Sequence, residues 1–205
     1  MIRRKLDRRK LARSKRGFIR NVYSDSWNYI KDSKIFIFLA VAIFVFAILI
    51  GYLFPIFFAD QINSYIHDLV AKTDGLNNVQ LISFIFFNNT FVAFISILSG
   101  ILLGVVPIIN TAVNGYVIGF VVNLAISKGG VISLWSLLPH GVFELPAILI
   151  SLGLGIKIGS FVFRRNKKLT FKYYLLNSLK VFVFVVIPLL IIAAIIEGSL
   201  IALFG

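Results

Sequence analysis

His140 and Glu144 stand four residues apart in a stretch that carries no other charge between Lys128 and Lys157. Four residues is about one helical turn, so an imidazole and a carboxylate share one helix face. Ala147 and Ser151 continue that face. Such a pair can pass protons, or it can hold helices together through hydrogen bonds in a medium without water. Asparagine amides can join either role. Asn88 and Asn89 lie early in one apolar segment, Asn123 lies near the end of the next, and Asn114 sits among the polar residues between them. Asn88, Asn89, Asn114, Asn123, His140 and Glu144 therefore form a candidate polar intramembrane cluster, with Glu197 near the outer end of the last apolar segment.

The chemistry open to these residues is narrow. No cysteine is present, and the two histidines are His67 and His140. A zinc hydrolase helix needs two histidines and a third ligand, so no metal and no other cofactor is expected. No G-x-S-x-G elbow and no phosphate-binding G-x-x-x-x-G-K-[ST] occurs, which leaves no catalytic residue to nominate. The expectation is a protein that is not an enzyme.

The elements that must position the cluster follow from composition. The 205 residues are 59% hydrophobic and only 14% charged, against about 25% charged in ordinary soluble domains. This excludes a soluble fold and disorder, and predicts an all-α polytopic membrane protein. The formal net charge is +13. Twelve of the 21 basic residues precede residue 35 and six more lie between Arg164 and Lys180. Basic clusters beside apolar spans mark the cytoplasmic side, so no nucleic acid is expected as a partner. Residues 1–34 read as a basic cytoplasmic arm. Within it, Ile19, Tyr23, Trp27 and Ile30, flanked by Phe18 and Val22, predict an amphipathic helix on the inner leaflet. Residues 35–205 read as the transmembrane domain.

Ile35 to Ala59 is free of charge for 25 residues, about 37 Å of helix against roughly 30 Å of hydrocarbon. Ile62, Tyr65, Ile66, Leu69 and Val70 then recur at helical spacing among polar residues, which predicts a surface helix on the outer side. Residues 75–127 hold 53 positions without a charge, enough for two spans, with the break expected at Pro107 to Asn114. Val131 to Leu138 predicts a short interfacial piece with Trp135 at headgroup depth. The spans are expected at 35–59, 81–106, 111–127, 141–163 and 181–203, with 171–180 on the inner surface. Five spans put the N-terminus in and the C-terminus out.

Small residues mark where helices meet. Gly100 and Gly104, Gly115 and Gly119, and Gly155 and Gly159 each form a G-x-x-x-G in the second, third and fourth spans. In lipid, such residues let backbones approach closely. These three spans are therefore expected at the packed centre, with the bulkier first and fifth facing lipid.

Asn88-Asn89, the run Ser99-Gly100-Ile101-Leu102-Leu103-Gly104, Asn114-Gly115 and the segment Leu138-Pro139-His140-Gly141-Val142-Phe143-Glu144-Leu145-Pro146-Ala147 occur in this order. In these residues the chain resembles the stage II sporulation protein M (SpoIIM) family, over roughly residues 30–200. The last segment is the most specific of the four. The resemblance implies several spans and a scaffold role. In endospore-forming bacteria the family's namesake holds peptidoglycan-degrading partners at the engulfing membrane and has no hydrolase activity. Two functions stay open for this chain. One is an integral scaffold of the cell membrane that binds the bilayer and envelope proteins, with a second copy of itself among the candidate partners. The other is a transporter or channel subunit built on the polar cluster.

Overall fold

The computed structural model describes residues 17, 20–130 and 138–204, and these form eight α-helices. Phe18, Ile19 and Trp135 lie outside the described residues, as does the side chain of His140. Helix α1 covers 20–32 and meets α2 (Lys34–Leu53) across the single residue Ser33. Pro55 keeps Phe54 out of helical geometry, so α2 stops at Leu53 rather than at 59. Its 20 residues still suffice for a span. The amphipathic α3 (Ala59–Thr73) follows, with Ile62 as its buried residue.

Helix α4 (Asn78–Leu98) starts on a reciprocal capping box. The Asn77 side chain accepts from the Gln80 backbone N–H, and the Gln80 side chain accepts from that of Asn77. Both orphan donors of the first turn are thereby satisfied. A 3₁₀ turn, Ser99–Ile101, extends α4. The reversal then falls at 102–104, where Leu103 and Gly104 both adopt positive φ, 59° and 73°. The break expected at 107–114 is thus several residues early. Pro107 lies in the first turn of α5 (Val105–Gly129), where its missing N–H costs no hydrogen bond. Thr111 and Asn114 donate back to the carbonyls of Pro107 and Asn110, so these polar residues sit inside a helix without breaking it.

Helix α6 (Leu138–Gly159) carries Pro146 and continues into a 3₁₀ turn, Ser160–Phe163. Helix α7 (Lys167–Val181) runs through a π-helical segment, Phe182–Val186, into α8 (Ile187–Phe204). The wide π turn lies just before Pro188, whose ring would otherwise press on the carbonyl four residues back. The fifth span and the expected surface segment 171–180 are therefore one continuous rod.

Five helices are long and apolar enough to cross a membrane, and no strand occurs among the described residues. The chain is an all-α, multi-pass membrane-type protein. Helix α6 is its axis: it touches α2, α4, α5, α7 and α8. In its most apolar window 61% of residues are buried, against 22–33% in the other four spans. The partners of α5 differ from expectation. Side chains on Gly115 and Gly119 would strike the carbonyls of Phe44 and Ile48 in α2. Helix α2 thus packs through its own stripe of Ala40, Phe44, Ala47 and Gly51 and is part of the bundle. Its many bulky residues on the other faces conceal that stripe in the composition. Similarly, α8 packs on α4, where Gly198 lies against Ile82.

Candidate functional site

The backbone crossings around α6 hold the rest of the bundle in place. A side chain on Gly100 would strike the Gly155 carbonyl, and one on Gly155 would strike the Ser96 carbonyl and the Pro107 ring. Gly159 lies against the backbone of Gly104. Gly104 also needs its positive φ for the turn, a conformation glycine adopts without penalty. Residues 151–159 of α6 are all buried. Gly51 and Gly153, outside the G-x-x-x-G pairs, are just as constrained, against Tyr116 and Ile37.

At one end of α6, its helical backbone sets His140 and Glu144 one turn apart, and the Glu144 side chain is half-buried and has a partner. The asparagines are distributed around the bundle. Asn88 donates to Asn89 on α4 at 3.3 Å. Asn123 of α5 donates to the Tyr52 carbonyl of α2 at 2.9 Å, and Tyr116 donates to the Phe54 carbonyl at 2.6 Å. These two bonds satisfy carbonyls left open at the C-terminus of α2. Asn114 donates to its own helix and lines a recess of about 710 Å³ between α2, α3, α4 and α5. Glu197 of α8 is buried.

The other end of α6 holds a buried charge outside the polar cluster expected from the sequence. Lys157 is 5% exposed. Its Nζ donates to Ser33 Oγ at 2.8 Å and lies 3.9 Å from the centroid of the Tyr29 ring. The Tyr174 ring centroid is 5.2 Å away. Ser33 Oγ in turn donates to the Tyr29 carbonyl at 2.5 Å. Tyr29 OH donates to the Tyr174 carbonyl at 3.2 Å and lies 3.5 Å from Ser178 Oγ. Burial pushes the Tyr29 phenol well above its ordinary range, so it stays protonated and remains a donor.

Magnitudes explain why a lysine is tolerated here. Placing an ammonium at the centre of a span costs about 2.5–3.5 kcal/mol, an upper bound for Lys157, which lies toward the end of its span. A desolvated cation–π contact contributes about 2 kcal/mol. A hydrogen bond to a charged group contributes about 1.5–3 kcal/mol. The contacts therefore offset the cost, and they do so only while α1 and α7 stay against α6. The arrangement suits fastening better than proton transfer. Its signal in the sequence is a lone lysine in an otherwise uncharged run, with a tyrosine near the end of α1 and a serine four residues later at the junction with α2. Ser26, Tyr29 and Ser33 are buried, whereas Tyr23 and Trp27 are exposed. Among the described residues no group of three His, Cys, Asp or Glu side chains could hold a metal ion.

Comparison with known proteins agrees with this architecture. A model of the family described as stage II sporulation protein M matches residues 40–200, which includes most of α2, all of α3 to α7 and most of α8. An uncharacterized protein of the archaeon Methanocaldococcus jannaschii is 26% identical over 188 residues, 83% of each chain. No solved structure matches the chain. With most of its length matched, and with five membrane-crossing helices around α6, the chain belongs to the stage II sporulation protein M (SpoIIM) family.

Proposed function

We propose that this protein is a non-enzymatic scaffold of the cell membrane that recruits or positions envelope-associated partners. The observation that carries this reading is the set of backbone-to-backbone crossings on α6 at Gly100, Gly104, Gly155 and Gly159. Crossings this close make a rigid frame, and a rigid frame suits presenting surfaces to other membrane components. The scaffold role of the family's namesake supports the same reading. Partners would be the lipid bilayer and other membrane or envelope proteins, with a second copy of this chain also a candidate. Nucleic acid is not proposed as a partner, because the basic residues cluster in the sequence beside apolar spans, the pattern of cytoplasmic anchoring. Chemical crosslinking in native membranes followed by affinity capture tests the reading. Stoichiometric recovery of integral envelope proteins is expected, and purification of the chain with lipid alone would overturn it.

One observation favours a second reading, as a transporter or channel subunit. Glu144 is an ionisable residue on the central helix, half-buried, beside a backbone position for His140 one turn away. Ionisable residues within spans often mark ion or proton paths. A Glu144→Gln variant that folds normally and loses activity would move the assignment to this second reading.

A further inference from the structure

The rod formed by α7 and α8 is too long for the membrane. Lys167–Leu200 is 34 residues, about 51 Å of helix against roughly 30 Å of hydrocarbon. The segment 181–200 alone is long enough to span, and it contains Glu197 as its only charge, near its far end. Residues 167–180 therefore stand beyond the hydrocarbon, with Lys180 at the boundary. One side of α7 is taken: Tyr174 and Ser178 meet α1, and Val181 is buried. The opposite side is open except at its Tyr173 edge, where that ring meets Tyr29 of α1 with centroids 6.0 Å apart. Leu169, Lys172, Tyr173, Leu176, Lys180 and Val183 recur there at helical spacing and line a shallow groove of about 670 Å³. All six are exposed.

The groove pairs an apolar membrane end with two cationic residues above it. Val183 and Phe184 lie at the membrane end, followed by Lys180, then Leu176 and Tyr173, then Lys172 and Leu169. Asn177 donates to the Tyr173 carbonyl, so its amide is turned back onto the helix. Tyr23 of α1 packs edge-on against Phe184, with ring centroids 5.8 Å apart, and so borders the apolar end. We propose that this face of α7 binds one anionic phospholipid, with an acyl chain along Val183 and Phe184 and the phosphate held by Lys180 with Lys172. Charge complementarity selects the occupant. A zwitterionic lipid would fill the apolar part equally but would gain little net attraction from the two lysines.

The test is lipid retention by the purified full-length protein, read by native mass spectrometry after exchange into nanodiscs of phosphatidylcholine with or without phosphatidylglycerol. The wild type is expected to retain one phosphatidylglycerol in preference to phosphatidylcholine. Each lysine near an anionic surface contributes about fivefold to binding, so Lys172→Gln with Lys180→Gln should lower retention by about 25-fold. Lys167→Gln with Lys168→Gln removes the same charge outside the groove and should leave retention within about twofold. All four lysines are exposed, so the variants should melt like the wild type. Equal loss in both double variants would mean general basic attraction and would overturn the proposal, as would retention that ignores headgroup charge.

Discussion

The two ends of α6 handle polar groups in opposite ways. At the Glu144 end, the carboxylate shares its helix with His140 one turn away, and the asparagines expected beside it are engaged on α4 and between α5 and α2. At the Lys157 end, one cation gathers Ser33, Tyr29 and Tyr174 from two distant helices. At the first end the two ionisable residues are neighbours in sequence; at the second, Lys157 is met by Tyr29 and Ser33 from more than a hundred positions away and by Tyr174 from the next helix. A charge on the central helix can thus fasten elements that lie far apart in the sequence, here α1 and α7 against α6.

The two ends of α6 are expected to face opposite sides of the membrane, with the Lys157 end inside. The protein has no cysteine, so single cysteines can be placed cleanly. Cysteines at Ser64 and Lys128 should react with an impermeant thiol reagent on intact cells. One at Asn166 should react only after permeabilisation. Reaction of Asn166→Cys from outside would reverse the orientation.

The next largest effect is expected between the two ends. Gly155→Leu places a branched side chain against the Ser96 carbonyl and the Pro107 ring. Overpacking alone costs about 1–3 kcal/mol, and backbone atoms yield less than side chains. Folded protein should be lost in detergent and in cells. Phe46→Leu, at a 64% exposed site, should behave like the wild type. Normal melting of Gly155→Leu would dissolve the frame on which both ends depend.

Lys157→Ala should be milder. It removes the contacts with Ser33 and Tyr29 but also removes a costly charge, for a net loss of about 1–2 kcal/mol. The effect should be local. Amide exchange should rise across 20–32 and 167–178 while 85–97 stays protected. Uniform exchange over the whole chain would show that Lys157 is not a fastener.

The smallest effects belong to Glu144. Intramembrane hydrogen bonds average about 0.6 kcal/mol, with maxima near 1.7, so Glu144→Ala should lower the melting temperature modestly. Glu144→Gln keeps an acceptor and should be nearly neutral. Growth or envelope phenotype should track stability in both variants. Loss of function by Glu144→Gln at unchanged stability would separate this end from structure and assign it to transport.

Much of the fold was legible because its causes are local. Uncharged runs such as 35–53 announce spans by length alone, and the alternation around Ile62 announces α3. The boundaries that moved did so for equally local reasons that compete with each other. Pro107 reads as a breaker, yet a proline in a first turn is harmless, and the chain turns at Leu103 and Gly104 instead. Pro188 likewise fails to interrupt the α7–α8 rod because a π turn absorbs it. The site was less legible. A lone lysine among apolar residues carries no periodic pattern, and Tyr29 and Ser33 look like members of an amphipathic surface helix.

By itself the sequence determined the class, the number of spans and the presence of small-residue contact faces, because bilayer thickness and helix geometry act on contiguous residues. It did not determine which faces meet. Gly115 and Gly119 could pack on any neighbour, and only the assembled bundle sets them on α2 rather than on α4 or α6. The same holds for Lys157. Its burial is tolerable only when a serine and two aromatic rings arrive from α1 and α7. Without hydrophobic attraction between helices in lipid, that choice of partners falls to close packing and to polar groups that must be satisfied in three dimensions.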